Sequence, residues 1–238
     1  MRSLLLTLSI ILLSITSSAQ DLEEILSAHY KAAAQEKMQK IETIITSGKN
    51  IYTMAGIESS FTMYQERPNK IRIQGEFQGS EVIQTYDGQT GWMYAPAMGI
   101  PEPKEIKGEE LETILNQAEF ENPLWNFEEK GHKLEQIGTS DDGSADHLKL
   151  TTTNGNELNF FIDKKRHLIT SIKSSQIMGG SETEIEVVLK DYKNVKGIPV
   201  AQHVVTKMNG EVVTTIDIEK VEYNKKIDPT LFEKPTLE

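Results

Sequence analysis

The stretch Ile57-Glu58-Ser59-Ser60-Phe61-Thr62-Met63-Tyr64-Gln65-Glu66-Arg67-Pro68-Asn69-Lys70-Ile71-Arg72-Ile73-Gln74-Gly75-Glu76-Phe77 decides the architecture. Ile57, Ser59, Phe61 and Met63 alternate with Glu58, Ser60, Thr62 and Tyr64. Ile71, Ile73, Gly75 and Phe77 alternate with Arg72, Gln74 and Glu76. A period of two sends alternate side chains to opposite faces of a strand, so each run has one apolar and one wetter face. Pro68-Asn69 between the runs is a turn signal. Two strands with one greasy face, joined by a short turn, describe part of an antiparallel sheet.

The same period extends in both directions. Ile185, Val187 and Leu189 alternate with Glu184, Glu186 and Lys190. Turn signals fall at Asp87-Gly88, Asp142-Gly143, Asn154-Gly155, Gly179-Gly180 and Asn209-Gly210; Asn-Gly and Asp-Gly suit hairpins because both central residues adopt positive φ. The pattern predicts strands near 41–53, 57–66, 70–78, 81–86, 91–95, 133–138, 147–153, 157–163, 168–176, 183–192, 200–208 and 211–222, the spacing of a barrel or large sandwich. Two segments depart from it. Leu22, Ile25, Leu26, His29, Tyr30 and Ala33 recur at three and four, which predicts a leading helix with one apolar stripe. Gly108 to Phe120 predicts a second helix, with Leu111, Ile114, Leu115 and Ala118 on one side and Pro101, Pro103 and Pro123 around it. A helix inside a β-rich chain must lie over the sheet or plug an opening. No internal repeat or clear linker interrupts residues 21–238, so one domain is expected.

Composition narrows the function classes. The chain has 238 residues, 37% hydrophobic and 26% charged, as a folded protein does. Its 36 acidic against 25 basic residues give a net charge of −11, with no basic stripe for nucleic acid. That balance also argues against general adhesion to anionic lipid surfaces. With no Cys there is no disulfide, thiolate metal site or Cys nucleophile. Arg2, the apolar run Leu4–Ile15 and the small residues Ser17-Ser18-Ala19 have the layout of a secretory signal peptide over residues 1–20. The run is too short to span a bilayer, and no later segment is long and apolar enough. No Cys follows the small residues to take a lipid anchor, so a free, exported, periplasmic protein without stable membrane insertion is expected.

Motifs for catalysis are sparse. His29, His132, His147, His167 and His203 show no metal-binding spacing on a helix, and there is no Gly-x-Ser-x-Gly elbow. Asp141, Asp142, Gly143 and Asp146 lack the spacing and closing Glu of a calcium loop and read as a solvated turn. No catalytic residue, metal or cofactor is expected. A lipid or glycan hydrolase would need two polar groups converging in an apolar cavity, and no such pair stands out.

One constellation does stand out. Glu66-Arg67-Pro68-Asn69-Lys70-Ile71-Arg72-Ile73 is followed by Tyr86-Asp87-Gly88-Gln89-Thr90-Gly91-Trp92-Met93-Tyr94-Ala95-Pro96, and the chain closes with Ile227-Asp228-Pro229-Thr230-Leu231-Phe232-Glu233-Lys234-Pro235. This resembles the outer-membrane lipoprotein-sorting proteins, the family of the periplasmic lipoprotein carrier LolA. There Arg-Pro-Asn opens a strand, and a later strand carries Asp-Gly, Trp, Tyr and Pro.

The resemblance implies a mainly β, α+β fold. A strongly curved antiparallel sheet of about eleven strands would form an unclosed half-barrel, with helices as a lid on its concave face. It implies a carrier that is not an enzyme and that shuttles acylated lipoproteins, or another lipid, from an inner-membrane donor to an outer-membrane acceptor. Candidate cavity residues are Phe61, Met63, Ile71, Ile73, Phe77, Trp92 and Met93, with strand parity deciding which face inward. In that family the arginine of the Arg-Pro motif hydrogen-bonds helix backbone and holds the lid shut; here it is Arg67. Guanidinium suits the role because its rigid fork bonds several carbonyls together. Lys70 and Arg72 are candidates to meet an anionic head group. A sensor or accessory module of the same fold, binding a protein partner and transporting nothing, is the alternative. A filled or a collapsed apolar face separates the two.

Overall fold

A computed structural model describes residues 21–236. The expected export segment, residues 1–20, lies outside the described residues. Helix α1 runs through residues 21–32, and a single turn, α2, covers Gln35–Met38. Strands follow at β1 Thr43–Tyr52, β2 Ile57–Glu66, β3 Lys70–Phe77, β4 Ser80–Tyr86, β5 Gly91–Ala95 and β6 Ile100–Ile106. Helix α3 spans Glu109–Ala118. Seven more strands complete the chain: β7 Lys133–Thr139, β8 Ala145–Thr151, β9 Glu157–Asp163, β10 Ile169–Met178, β11 Ser181–Val195, β12 Ile198–Met208 and β13 Glu211–Tyr223.

The thirteen strands form one antiparallel sheet, ordered β6-β5-β4-β3-β2-β1-β13-β12-β11-β10-β9-β8-β7. Consecutive strands are neighbours throughout, except β6 and β7, which end the order; the first and last strands pair with each other instead. The sheet is therefore open, and α3 belongs to the stretch of chain between its two end strands. The hairpins at Gly179-Gly180 and Asn209-Gly210 have positive φ at both central residues, as their sequence predicts.

All twelve predicted strands are present, and the structure adds a thirteenth. β6, Ile-Pro-Glu-Pro-Lys-Glu-Ile, carries Pro101 and Pro103 and reads as a break. It is tolerated because it ends the sheet, where a residue without an N–H loses no ladder bond on its open side.

The chain divides into two compact units. One holds the described residues up to Glu36 together with Pro123–Val188. Its core is Leu148, Leu150, Phe160 and Ile162, all fully buried, on the apolar parity of β8 and β9. Leu26 and His29 of α1 are buried as well. His29 Nδ1 donates to the His167 carbonyl at 2.8 Å, and the Tyr30 hydroxyl donates to the Leu124 carbonyl at 2.5 Å. The other face of β8 and β9 is wetter: His147 stacks on Phe161 and bonds Asn159 at 2.9 Å. Asp142 closes the β7–β8 turn, accepting from Ser140 Oγ, Ser144 N and Ser144 Oγ, which holds its carboxyl down at about 2.

The second unit holds Lys37–Asn122 and the described residues from Leu189 onward. Its core joins Ile71, Tyr86 and Ile106 of the sheet to Ile114 and Ala118 of α3. The mid-chain helix thus lies on the sheet, on the side set by Ile71.

Candidate functional site

Register determines which predicted residues share a face. Met63 lies opposite Ile73, Phe61 opposite Gly75 and Gln65 opposite Ile71. Ile71 faces Tyr86, Phe77 faces Ser80, and across β4 and β5 Gln84 faces Met93. Paired residues of an antiparallel ladder project to the same side. Phe61, Met63, Ile71, Ile73, Phe77 and Met93 therefore share one face of the second unit. α3 covers that face: Met63, Ile73 and Met93 are half-buried against the core that Ile114 and Ala118 complete, together with Leu111 and Leu115 of the helix. Beyond it, Phe77 meets Tyr52 edge-on at 6.2 Å.

Trp92 is the exception, and its grouping with the six is corrected. It lies opposite Thr85 on the other face, because neighbours in a strand point opposite ways and Met93 takes the helix side. The terminal segment Pro229–Phe232 covers that second face. Thr85, fully buried, donates to the Phe232 carbonyl at 2.9 Å, and Arg72 donates to the Leu231 carbonyl at 3.0 Å. The Lys234 ammonium sits 4.7 Å over the Trp92 ring. The Ile227–Pro235 motif is thus a structural closure of the sheet's back. Lys70 and Arg72 are likewise committed: Lys70 pairs with Glu66 at 2.8 Å, and Arg72 bonds Gln74 at 2.8 Å besides Leu231. Burial holds the Arg72 guanidinium below its ordinary range.

Arg67 sits at the β2–β3 turn and ties three segments together. Its Nε donates to the Ile41 carbonyl at 2.7 Å, and Nη2 donates to the Met38 carbonyl at 3.2 Å and to Glu121 Oε1 at 2.5 Å. The guanidinium lies 4.4 Å over the Phe120 ring. It thus links the turn to the end of α2 and to the segment that follows α3. A second tether comes from Gln65, whose side chain donates to the Gln117 carbonyl in the last turn of α3 at 2.9 Å. Sequence reading passed over Gln65 and Glu121. Gln65 had a signal, since it continues the Phe61–Met63 parity as a polar residue on the apolar face. Glu121 had none, being 54 residues from Arg67.

Of the remaining histidines, His132 has a buried Nδ1 with no hydrogen-bond partner among the described residues. His203 lies between Asp217 at 2.6 Å and Asp191 at 3.6 Å on exposed strand surface.

No family model matches the chain, and no curated protein matches it in sequence. Solved structures do match. A DUF1329 family protein from Desulfovibrio piger is 14% identical with a TM-score of 0.60, covering 87% of this chain and 96% of that one. A domain assigned to outer membrane lipoprotein sorting from Vibrio parahaemolyticus is 12% identical with a TM-score of 0.55, over 84% and 94%. A LolA superfamily protein from Nitrosomonas europaea is 9% identical with a TM-score of 0.56, over 82% and 90%. Taken with the open antiparallel sheet and the helix on its apolar face, these likenesses show that the chain has a LolA-like fold.

Proposed function

We propose that this protein is an exported carrier of acyl chains, of lipoproteins or of another lipid, that loads on the α3 face of its sheet. The observation carrying the reading is the cover of that face. One short amphipathic helix lies over Met63, Ile71, Ile73 and Met93, and polar tethers at Gln65 and Arg67 hold its end. Such a cover is exchangeable. Re-exposing Ile114 and Ala118, fully buried, with the half-buried Leu111 and Leu115 costs roughly 4–8 kcal/mol in apolar area. An acyl chain of about sixteen carbons gains roughly 12 kcal/mol on burial. A bound chain therefore compensates for displacing the helix, and the thioethers of Met63 and Met93 adapt to its shape. Arg67 is the latch in this reading, and release is transfer to a partner with a tighter site, from an inner-membrane donor to an outer-membrane acceptor. No covalent step is needed.

The accessory-module reading draws on the same contacts, since Ile71, Ile114 and Ala118 are sealed from solvent. Native mass spectrometry of residues 21–238 from an exported preparation, with extraction of bound material, separates the two. A co-purifying acyl lipid or lipopeptide near one-to-one supports the carrier. A clean mass that also ignores added lipid and acylated peptide overturns it. In the same assay Arg67→Leu is expected to change loading and transfer of an acylated probe about tenfold or more, the worth of at least one charge-assisted hydrogen bond; unchanged loading and transfer remove the latch role.

A further inference from the structure

The second unit contains a cavity of about 500 Å³ lined by Lys37, Lys40, Ile41, Lys196, Ile198, Tyr223, Asn224 and Lys225. Four of its eight lining residues are lysines and none is an acid, in a chain whose net charge is −11. None of the four makes an ion pair among the described residues. The carboxylate of Glu222 close by is held by Lys220 at 2.8 Å, and the charges of Lys225 and Lys196 help to keep it below its ordinary range. Their field is thus positive, with the Glu222 carboxylate at its margin.

The segments that carry the walls are fixed by hydrogen bonds to backbone. Asn224 accepts from the Glu42 N–H at 2.7 Å, its own N–H donates to the Thr43 carbonyl at 2.9 Å, and the Thr43 hydroxyl donates to the Lys225 carbonyl at 2.7 Å. This joins the start of β1 to the end of β13. The β11–β12 turn is fixed by the Gly197 N–H on Asn194 at 2.7 Å. Gly197 has φ +89°, and a Cβ there would collide with the Lys37 ammonium, so the turn leaves the space this lysine occupies.

A second feature points the same way. Tyr223 lines the cavity and is only 5% exposed; its hydroxyl has no protein partner among the described residues and, not being sealed from solvent, opens to the cavity. Burial pushes that phenol up to about 12, and like any tyrosine it is a neutral donor at physiological pH. A phosphate would take several ammonium contacts and the phenolic O–H, while Ile41 and Ile198 form a dry floor.

We propose that Lys37, Lys40, Lys196, Lys225 and the Tyr223 hydroxyl form a binding site for a phosphate-bearing head group, free or carried on a lipid. None of these side chains belongs to the α3 face, so the site and the acyl-carrier reading stand or fall separately.

The test follows the Ile methyl resonances of residues 21–238 at constant ionic strength, with inorganic phosphate and glycerol 1-phosphate as probes. Vesicles of phosphatidylglycerol or phosphatidylcholine are assayed by co-sedimentation. Saturable shifts at Ile41 and Ile198, with Ile83 still, are expected. Lys196→Gln with Lys225→Gln is expected to weaken binding about tenfold or more, and Tyr223→Phe several-fold. Lys107→Gln, outside the cavity, is expected to leave it unchanged. Shifts with glycerol 1-phosphate but no vesicle binding identify a free phosphate ligand. Phosphatidylglycerol-selective sedimentation lost in the double variant identifies a lipid head group. No saturable shift at Ile41 and Ile198 together with lysine-independent vesicle behaviour overturns the site, as does equal weakening by Lys107→Gln. The wild-type shifts keep the proposal open to refutation even if the double variant fails to fold.

Discussion

His29 is 2% exposed and gives its Nδ1 proton to the His167 carbonyl. Burial, the largest influence, lowers its pKa below the ordinary 6.5. The folded value being the lower one, the unfolded chain takes up the proton first as the pH falls. The contribution of His29 is therefore whole above about pH 6.5 and declines below it. Thermal melts from pH 8 to pH 5 are expected to show a falling midpoint, and His29→Leu to remove up to about one proton from that dependence. Equal slopes in the two proteins would refute this. At Gly48 the β1–β13 register shifts, and an added Cβ would overlap the Asp217 carbonyl oxygen. Gly48→Ala is expected to cost about 1–3 kcal/mol in denaturant unfolding, because backbone rather than a flexible side chain must give way. Neither cost shows in the sequence. The clash at Gly48 depends on a strand some 170 residues away, and the burial of His29 depends on what closes over α1.

At the scale of elements, α3 covers the apolar face. Leu111 and Leu115 are half-buried on the core that Ile114 and Ala118 seal. Replacing both with Ser weakens the helix's hold without touching the sheet. Stability is expected to fall by about 2–4 kcal/mol in denaturant unfolding. Under the carrier reading, affinity for a fluorescent fatty acid is expected to rise about tenfold or more, since less is displaced on loading. Lost stability with unchanged affinity would make α3 plain core. The helix itself was legible from its 3.6 period between Gly108 and Phe120, as were twelve strands from their period of two. β6 was not, because Pro101 and Pro103 argue against a strand unless its edge position is known. Trp92 was misplaced for a related reason: period says that Trp92 and Met93 face opposite ways, and only the pairing with Thr85 and Gln84 says which faces the helix.

For the molecule as a whole, each unit has its own core, and Phe160 centres that of the first. Phe160→Ala is expected to cost about 3–5 kcal/mol in denaturant unfolding, as a fully buried aromatic leaves a cavity that strands close poorly. The export proposal is checked by intact mass: a protein starting at Gln20 or Asp21 is expected, one charge more negative than the −11 of the whole chain because Arg2 is lost. A mature protein retaining residues 1–20 would sink it. The sequence by itself determined the β-rich class, the two helical interruptions and the Arg67 turn, because periodicity and turn chemistry are local properties carried by neighbouring residues. Tertiary structure alone decided the pairing of the first strand with the last, the face given to Trp92, and the partners of Arg67. It alone brought Lys37, Lys40 and Lys196 to the segment of Tyr223 and Lys225. These depend on contacts between residues far apart in the chain, where no local pattern records which segments meet.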